Sequence, residues 1–394
     1  MHKALQPPRP RRVDDAPERD FLFVQSTTEV GGAERVLLNL FEASPELRRR
    51  SLIATLGFGS GDLPERLRLL GAEVVEIPRA RLRQPLRLVG TINSLRRLAR
   101  ARRVRAVIGN GSHPQIVGGL VSRLAGTRSV FIVHMIHAAA LWKNDPRDIA
   151  ALKGPCDLMV AVSKSAQSTL GALRPSVESR YFYAGTPHRD VSAVEASAAR
   201  TELGVRGDEI LFGVFGRLQH WKGQDVFVEA AAEAARLRPA ARFVVVGGSV
   251  FGLEPEFAER LRRRAPELGL GGRLVFAGFR NDVPRLMAAC DVVCHTTRVA
   301  EPFGMVVIEA MDLGRPVIAT AGGGPSEVIT SDENGILVPP DDTGALAREM
   351  VRLADDPGLR SRIGAAAALR VRNDFGTDAG AATLLRYLDA LRPG

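Results

Sequence analysis

Four short stretches hold the residue types that can do chemistry. The first reads Ala300-Glu-Pro-Phe-Gly-Met-Val-Val-Ile-Glu309 and continues through Ala-Met-Asp-Leu-Gly314. Pro302 sets a turn, and Phe303 and Gly304 open a helix that Gly314 ends. A helix start carries unpaired N–H groups and the positive end of a dipole, which suits a phosphate. Glu309, about a turn and a half into the helix, can accept two hydrogen bonds from a vicinal diol such as a ribose. Glu301, ahead of the helix, can reach hydroxyls on whatever that phosphate carries. Alone, the two glutamates read more readily as a solvated pair on a surface helix.

The second stretch is Phe215-Gly-Arg-Leu-Gln-His-Trp-Lys-Gly223. Arg217 and Lys222 sit in one glycine-bounded loop and can bracket a diphosphate, Arg as a fork and Lys as a point charge. The spacing is not that of a P-loop, which needs Gly-x4-Gly-Lys-Ser/Thr. The third is Glu29-Val-Gly-Gly-Ala-Glu34, where Gly31 and Gly32 permit close backbone approach to a ligand. The fourth, Gly322-Gly-Gly-Pro-Ser-Glu327, has the same character, and both also suit tight strand-to-helix packing. Cys290-x3-Cys294-His295 imitates metal spacing, but it reads as buried small residues on a strand and a helix end. No Asp-x-Asp occurs, which disfavours a metal-clamped diphosphate. Asp341-Asp342 and Asp355-Asp356 read as helix caps.

Groups of this kind need a scaffold to converge. The chain has 394 residues, 45% hydrophobic and 25% charged, enough for two ordinary globular cores and too mixed for a fibrous or disordered chain. Short apolar runs alternate with amphipathic ones, the pattern of βα repeats and parallel sheets. In the first half, strands are expected at 21–25, 51–56, 73–77, 106–109, 130–134 and 158–162. In the second half they are expected at 211–215, 242–246, 274–277, 292–295 and 316–319. Helices are expected at 225–237, 255–264 and 378–391, and residues from Gly185 to about Arg200 read as a linker. The expected fold is α/β: two doubly wound, Rossmann-like domains facing each other across a cleft. Ligands bind outside the carboxyl ends of such strands, where all four stretches begin. No apolar run is long enough to span a membrane, and three cysteines argue for a reducing cytoplasm.

Together these stretches resemble the family 4 retaining glycosyltransferases of the GT-B fold. The resemblance covers residues 20–390 in order: Gly-Gly-Ala-Glu, Gly-Arg-x4-Lys-Gly, Phe276-Ala-Gly-Phe, Glu-x7-Glu, Gly-Gly-x-x-x-Glu and Asn334-Gly-x-Leu-Val. The Pro/Arg/Asp-rich start, residues 1–19, reads as a disordered tail, and the resemblance implies an acceptor-side domain at 20–188 and a nucleotide-sugar-binding domain at 189–376. A last helix at 377–394 would pack back on the first domain. It also implies a hexosyltransferase that uses a nucleoside diphosphate sugar, UDP ahead of GDP, with no cofactor and no metal. Arg217 and Lys222 would neutralise the diphosphate, Glu301 would bind the transferred sugar and Glu309 the ribose. Phe303, Gly304 and Met305 would meet the donor at the helix start, and Gly278, Phe279 and Arg280 would line the base pocket. Gly31 and Gly32 would close over the phosphates. His134, at a strand end, is preferred over His137 as the histidine that faces the sugar. The chain departs from the family pattern at Ala184-Gly185, where the hinge usually reads Asn-Gly, and at His295-Thr-Thr, where Pro-Ser is common.

Charge adds a partner. Residues 1–190 hold 30 Lys and Arg against 17 Asp and Glu, whereas residues 191–394 hold 24 against 27. Arg79 to Arg105 contains ten arginines, and Ser94–Arg103 reads as a helix with Leu95, Leu98 and Ala99 to one side. A positive acceptor side suits an anionic or lipid-linked acceptor in cell-envelope glycan or glycolipid synthesis, with docking on the inner membrane face. The other readings are glycosylation of a soluble secondary metabolite and a nucleotide-sugar epimerase or hydrolase on the same fold. Nucleic acid is disfavoured as a partner, because only 5% of residues are aromatic and base stacking needs them.

Overall fold

The computed structural model describes residues 18–58, 61–77, 84–135, 153–248 and 254–392. Of the expected N-terminal tail, only Glu18 and Arg19 fall within them. The first sheet contains β1 (Phe21–Thr27), β2 (Ser51–Phe58), β3 (Glu73–Glu76), β4 (Ala106–Asn110), β5 (Arg128–Val133), β6 (Leu158–Ala161) and β7 (Glu178–Tyr181). The second contains β8 (Ile210–Phe215), β9 (Ala241–Val246), β10 (Leu274–Gly278), β11 (Val292–His295), β12 (Val317–Thr320) and β13 (Ile336–Val338). The strand orders are 3-2-1-4-5-6-7 and 10-9-8-11-12-13, with every pairing parallel. Both sheets therefore reverse direction at a switch point, between β1 and β4 and between β8 and β11.

Parallel strands are buried on both faces, and β1 shows how its sequence meets that demand. Phe21 and Phe23 pack with Leu37, Leu40 and Phe41 of the helix Gly32–Ala43. Leu22 and Val24, pointing the other way, pack with Ile92 and Leu95 of the helix Pro85–Ala101 and with Val117 and Val121 of the helix Ser112–Ala125. The first of these clusters continues through Phe182, Phe303 and Phe375 to Val293, Val307 and Ile308, so one apolar core joins the inner sides of both sheets. The two chain passages between the sheets lie side by side. Gly185, at φ 66°, packs where a Cβ would sit 2.8 Å from Thr377.

The structure corrects the sequence reading in three places. The segment read as a linker carries a helix, Ala193–Glu202, started by a capping box in which Ser192 and Glu195 satisfy each other's backbone N–H. Strands β7 and β13 were not expected: β7 is half polar, and β13 has only three residues. The arginine-rich helix is longer than 94–103; it starts at Pro85, where a missing N–H costs nothing. Asp342 and Asp356 do cap helices, accepting from the Ala345 and Leu359 amides at 2.8 Å each.

The last helix, Thr377–Asp389, packs on the helix Gly32–Ala43 of the first half. Arg50 reaches Asp389 at 2.5 Å, and the Tyr387 hydroxyl donates to the Tyr181 carbonyl at 3.0 Å. Leu384 is wholly buried there. Leu384→Ala is expected to lower unfolding free energy by about 2–5 kcal/mol in urea titration. A loss below about 0.5 kcal/mol would show that this helix is not part of the core.

Candidate active site

Loops following β8 and β11 build one wall of the cleft. After Phe215 the chain turns at Gly216 and makes a short helical turn, His220–Lys222, ending at Gly223 with φ 66°. Gly223 is forced by contact as well as conformation, since a Cβ there would lie 1.9 Å from the Thr296 carbonyl oxygen. The loop is stitched to the segment after β11 by three hydrogen bonds. The Thr296 hydroxyl donates to the Lys222 carbonyl at 3.2 Å, and the Arg298 amide donates to the Trp221 carbonyl at 2.9 Å. Arg298 Nε donates to the His220 carbonyl at 3.2 Å.

This stitching sets Lys222 Nζ 2.7 Å from Glu301 Oε2, with both side chains largely buried. Burial works to raise the Glu301 pKa, but the Lys222 charge, helped by His295, overrides it and holds the carboxyl down at about 2. Glu301 is thus a fixed anion, 3.6 Å from His295 Nε2. Arg217, five residues before Lys222, accepts from Gln224 Nε2 at 2.8 Å through its carbonyl, while its guanidinium has no hydrogen-bond partner among the described residues and is available to a ligand.

The fourth glycine-rich stretch holds Glu301 in place. The Gly324 amide donates to the Glu301 carbonyl at 2.8 Å, and a Cβ on Gly323 would sit 2.0 Å from that same oxygen. Beyond it, Gly304, at φ 87°, opens the helix Met305–Asp312. Phe303 gives its ring to the core, stacking on Tyr183 at 5.8 Å, so only its backbone faces outward chemistry. Burial pushes Glu309 up to about 7, against the charges of Arg35 and Arg189. At the helix end, buried Asp312 accepts from His188 Nδ1 and the Arg189 amide, each at 3.0 Å, and so fixes the passage between the two sheets.

The facing wall comes from β1, β4 and β5. Glu34 Oε2 accepts from the Gly31 amide at 3.0 Å, and Glu34 Oε1 accepts from Gln25 Nε2 at 2.6 Å. Gln25 Oε1 accepts from Asn110 Nδ2 at 2.7 Å, and Asn110 Oδ1 pairs with His134 Nε2 at 2.5 Å. Burial drops the His134 pKa to about 4, so its ring is neutral at neutral pH. Burial likewise raises Glu34, opposed by its local hydrogen bonds and by the charge of Arg217 from the other wall. Gly31 has its amide engaged by Glu34, whereas a Cβ on Gly32 would meet nothing within 4 Å. The two walls are clamped at one side, where Glu327 accepts from the Lys164 and Ser165 amides at 3.1 and 2.6 Å. The Ser163 hydroxyl donates to the Pro302 carbonyl there as well.

The structure therefore brings together Arg217, Lys222, Glu301, Gly304, Met305 and Glu309 on one side, and Gly31, Gly32 and His134 on the other. Gly278 and Phe279 stand at the end of β10, with the Phe279 ring 67% exposed. Arg280, expected beside the base, is committed elsewhere: Asp282 holds it at 2.8 Å and Glu202 at 2.7 Å. His137 lies outside the described residues. Gln25 and Asn110 belong to none of the four stretches read for chemistry in the sequence, and Asp312 lies in the first of them with no role assigned there. Gln25 and Asn110 had one signal, a polar amide ending an otherwise apolar strand.

Residues 30–181 match the family model for Glycosyltransferase Family 4, and residues 196–370 match that for glycosyl transferases group 1. The D-inositol 3-phosphate glycosyltransferase of Kribbella flavida is 30% identical over 302 residues, 68% of either chain. The chain belongs to glycosyltransferase family 4. The lipopolysaccharide core mannosyltransferase LpsB of Rhizobium meliloti is 33% identical over 176 residues, so this glycosyltransferase matches about half, 49%, of that relative's length. Among solved structures, HepE of Anabaena in complex with UDP and glucose superposes with a TM-score of 0.84 at 26% identity, covering 95% of this chain and 100% of that one. WaaG, from lipopolysaccharide biosynthesis, shares the fold at a TM-score of 0.69 and 17% identity, over 94% of this chain and 100% of that one. The fold of this glycosyltransferase is GT-B.

Glu309 gives the site a measurable pH signature. Its folded pKa of about 7 lies above the ordinary 4.5, so the folded chain keeps a proton that the unfolded chain loses between those values. That contribution to stability is complete below pH 4.5 and is lost as pH rises through 7. Glu309→Gln removes the buried charge, and the variant should exceed the parent by about 3 kcal/mol at pH 8 in urea titration. At pH 4 the two should coincide. A gap of equal size at both pH values would contradict the shift.

Proposed function

We propose that this glycosyltransferase moves a hexose-type sugar from a nucleoside diphosphate to an acceptor hydroxyl, with retention at the anomeric carbon. The observation that carries the reading is the Lys222–Glu301 pair at 2.7 Å beside an uncommitted Arg217 and an open helix start. In this reading Arg217, Lys222 and the amides at Phe303, Gly304 and Met305 stabilise the departing diphosphate. Glu309 takes the ribose, Gly278 and Phe279 line the base, and the open backbone at Gly32 lets the facing wall approach the phosphates. Glu301 and His134 hold the transferred sugar from opposite sides. A structural neighbour crystallised with UDP-glucose, HepE, supports UDP as the nucleotide.

The cleft carboxylates argue for attack on the donor's own face. Glu301 is bound by Lys222, Glu34 by two donors, and Glu327 by a helix start. None of these three is left as a nucleophile, and Glu309 is given to the ribose. The bond from the anomeric carbon to the diphosphate breaks while the acceptor oxygen bonds on the same face, and a phosphate oxygen takes the acceptor proton. Two cations and a helix start supply the charge neutralisation, and the reaction is metal-independent in this reading. Arg217→Ala and Lys222→Ala should each lower turnover on the order of a hundredfold. Turnover near that of the parent in both variants would remove the assignment.

The acceptor is anionic or lipid-linked in our reading, and the enzyme docks on an anionic membrane surface. The supporting observation is the helix Pro85–Ala101, where Leu86 is 88% and Val89 56% exposed next to exposed Arg87, Arg97 and Arg100. Arg102 and Arg103 pair with Glu73 and Glu18, while Arg79, Arg81 and Arg83 lie outside the described residues. No helix among the described residues is long and apolar enough to cross a membrane. Each basic residue at such a surface contributes about 1 kcal/mol, screened by salt. The enzyme should pellet with anionic vesicles at low salt and be released at moderate salt or by charge reversal at Arg87, Arg97 and Arg100. Recovery in the supernatant at low salt would favour a soluble acceptor.

A further inference from the structure

Four side chains form an unbroken hydrogen-bonded chain across the ends of three strands: Glu34, Gln25, Asn110 and His134. Gln25 is 0%, Asn110 2% and Glu34 8% exposed, so water does not compete for these groups. Such a chain has a direction, and its ends decide it. Glu34 accepts at both oxygens, from the Gly31 amide at Oε2 and from Gln25 Nε2 at Oε1, and this turns the Gln25 oxygen toward Asn110. Asn110 must then donate through Nδ2. A second acceptor agrees, because the Ala33 carbonyl lies 3.5 Å from that same nitrogen. Asn110 Oδ1 is left facing His134 Nε2, and an oxygen there can only accept. Nε2 carries the proton, and Nδ1 keeps its lone pair.

We infer that Glu34 is a positioning residue that selects the tautomer of His134, acting through the side-chain amides of Gln25 and Asn110. The neutral state of the ring makes the choice consequential, because a neutral imidazole is donor at one nitrogen and acceptor at the other. The kinetic consequence rests on the reading of His134 as facing the transferred sugar. With Nδ1 bare, the ring accepts a hydrogen bond from a sugar hydroxyl rather than offering one. Glu34→Gln is the revealing change, since it keeps the shape. Its amide oxygen must still accept from the Gly31 amide, so its NH2 faces Gln25. Every bond down the chain then reverses, and the proton of His134 moves to Nδ1.

Nitrogen spectra of the full chain with 15N-labelled histidine test this directly, His134 being assigned by its absence in His134→Gln. The parent should show Nε2 protonated and Nδ1 bare, and Glu34→Gln should exchange them. Gln25→Met interrupts the chain without touching Glu34 and should give a mixture of both forms. A proton on Nδ1 in the parent, or an unchanged tautomer in either folded variant, overturns the inference. In turnover, Glu34→Gln should lower kcat on the order of ten- to a hundredfold, with the donor KM changed less than about threefold. In the His134→Gln background the same change should cost nothing further. An additive loss means that Glu34 acts through Arg217 instead and overturns the kinetic role. Tautomer exchange with no change in kcat leaves the relay standing and refutes the placement of His134 against the sugar.

Discussion

A parallel sheet covered by helices on both faces leaves its strand ends as the open polar edge, and this constraint organises the whole molecule. Backbone N–H and C=O groups inside each sheet are consumed by neighbouring strands, and the side chains between them are apolar. The polar side chains of the cleft gather where strands stop. Gln25, Asn110, His134, Arg217 and His295 all do so, at or within two residues of the carboxyl ends of β1, β4, β5, β8 and β11. Because both switch points present these ends to one cleft, residues nearly 200 positions apart in sequence, such as Glu34 and Arg217, act on each other electrostatically.

Once polar groups collect in a half-buried cleft, each must be paired or it costs stability. The cleft answers this in two ways. On the second-sheet wall the answer is charge: Lys222 against Glu301, both largely buried, an arrangement that keeps the carboxylate ionised. Removing either partner leaves the other buried and alone, so the pair constrains substitution as well as chemistry. On the first-sheet wall the answer is a chain of neutral amides anchored by a single carboxylate, which fixes donors and acceptors without a second charge. Among the described residues, the Arg217 guanidinium has no hydrogen-bond partner and can meet an incoming anion.

The glycines serve this geometry rather than flexibility. Gly223 lets the Lys222 loop touch the Thr296 carbonyl, and Gly323 lets the turn after β12 touch the Glu301 carbonyl. In both, a side chain would push a loop out by more than an ångström and open the Lys222–Glu301 contact. The arginine-rich composition also finds its use in pairing. Arg280 and Arg285 join Glu202 and Asp282, and so tie the helix Ala193–Glu202 to the segment after β10. That use occupies the Arg280 guanidinium with carboxylates of the chain itself.

What the amino-acid order determined by itself is the part governed by local periodicity and local chemistry. Apolar runs in β1, β5, β8 and β11, the helix opening at Gly304, the caps at Asp342 and Asp356, and the Arg-x4-Lys and Glu-x7-Glu spacings are all properties of neighbouring residues. They were legible because strands, helix starts and turns form from contacts within a few positions. Short or half-polar strands such as β7 and β13 were not, since their place in a sheet depends on a neighbour far along the chain. The same holds for the chemistry of the cleft. No spacing rule links Glu34 to Gln25, Asn110 and His134, or sets Asp312 against His188, because these pairings join strand ends that only sheet order brings together. Tertiary structure alone decided which charges are neutralised internally and which, like Arg217, are left for a ligand.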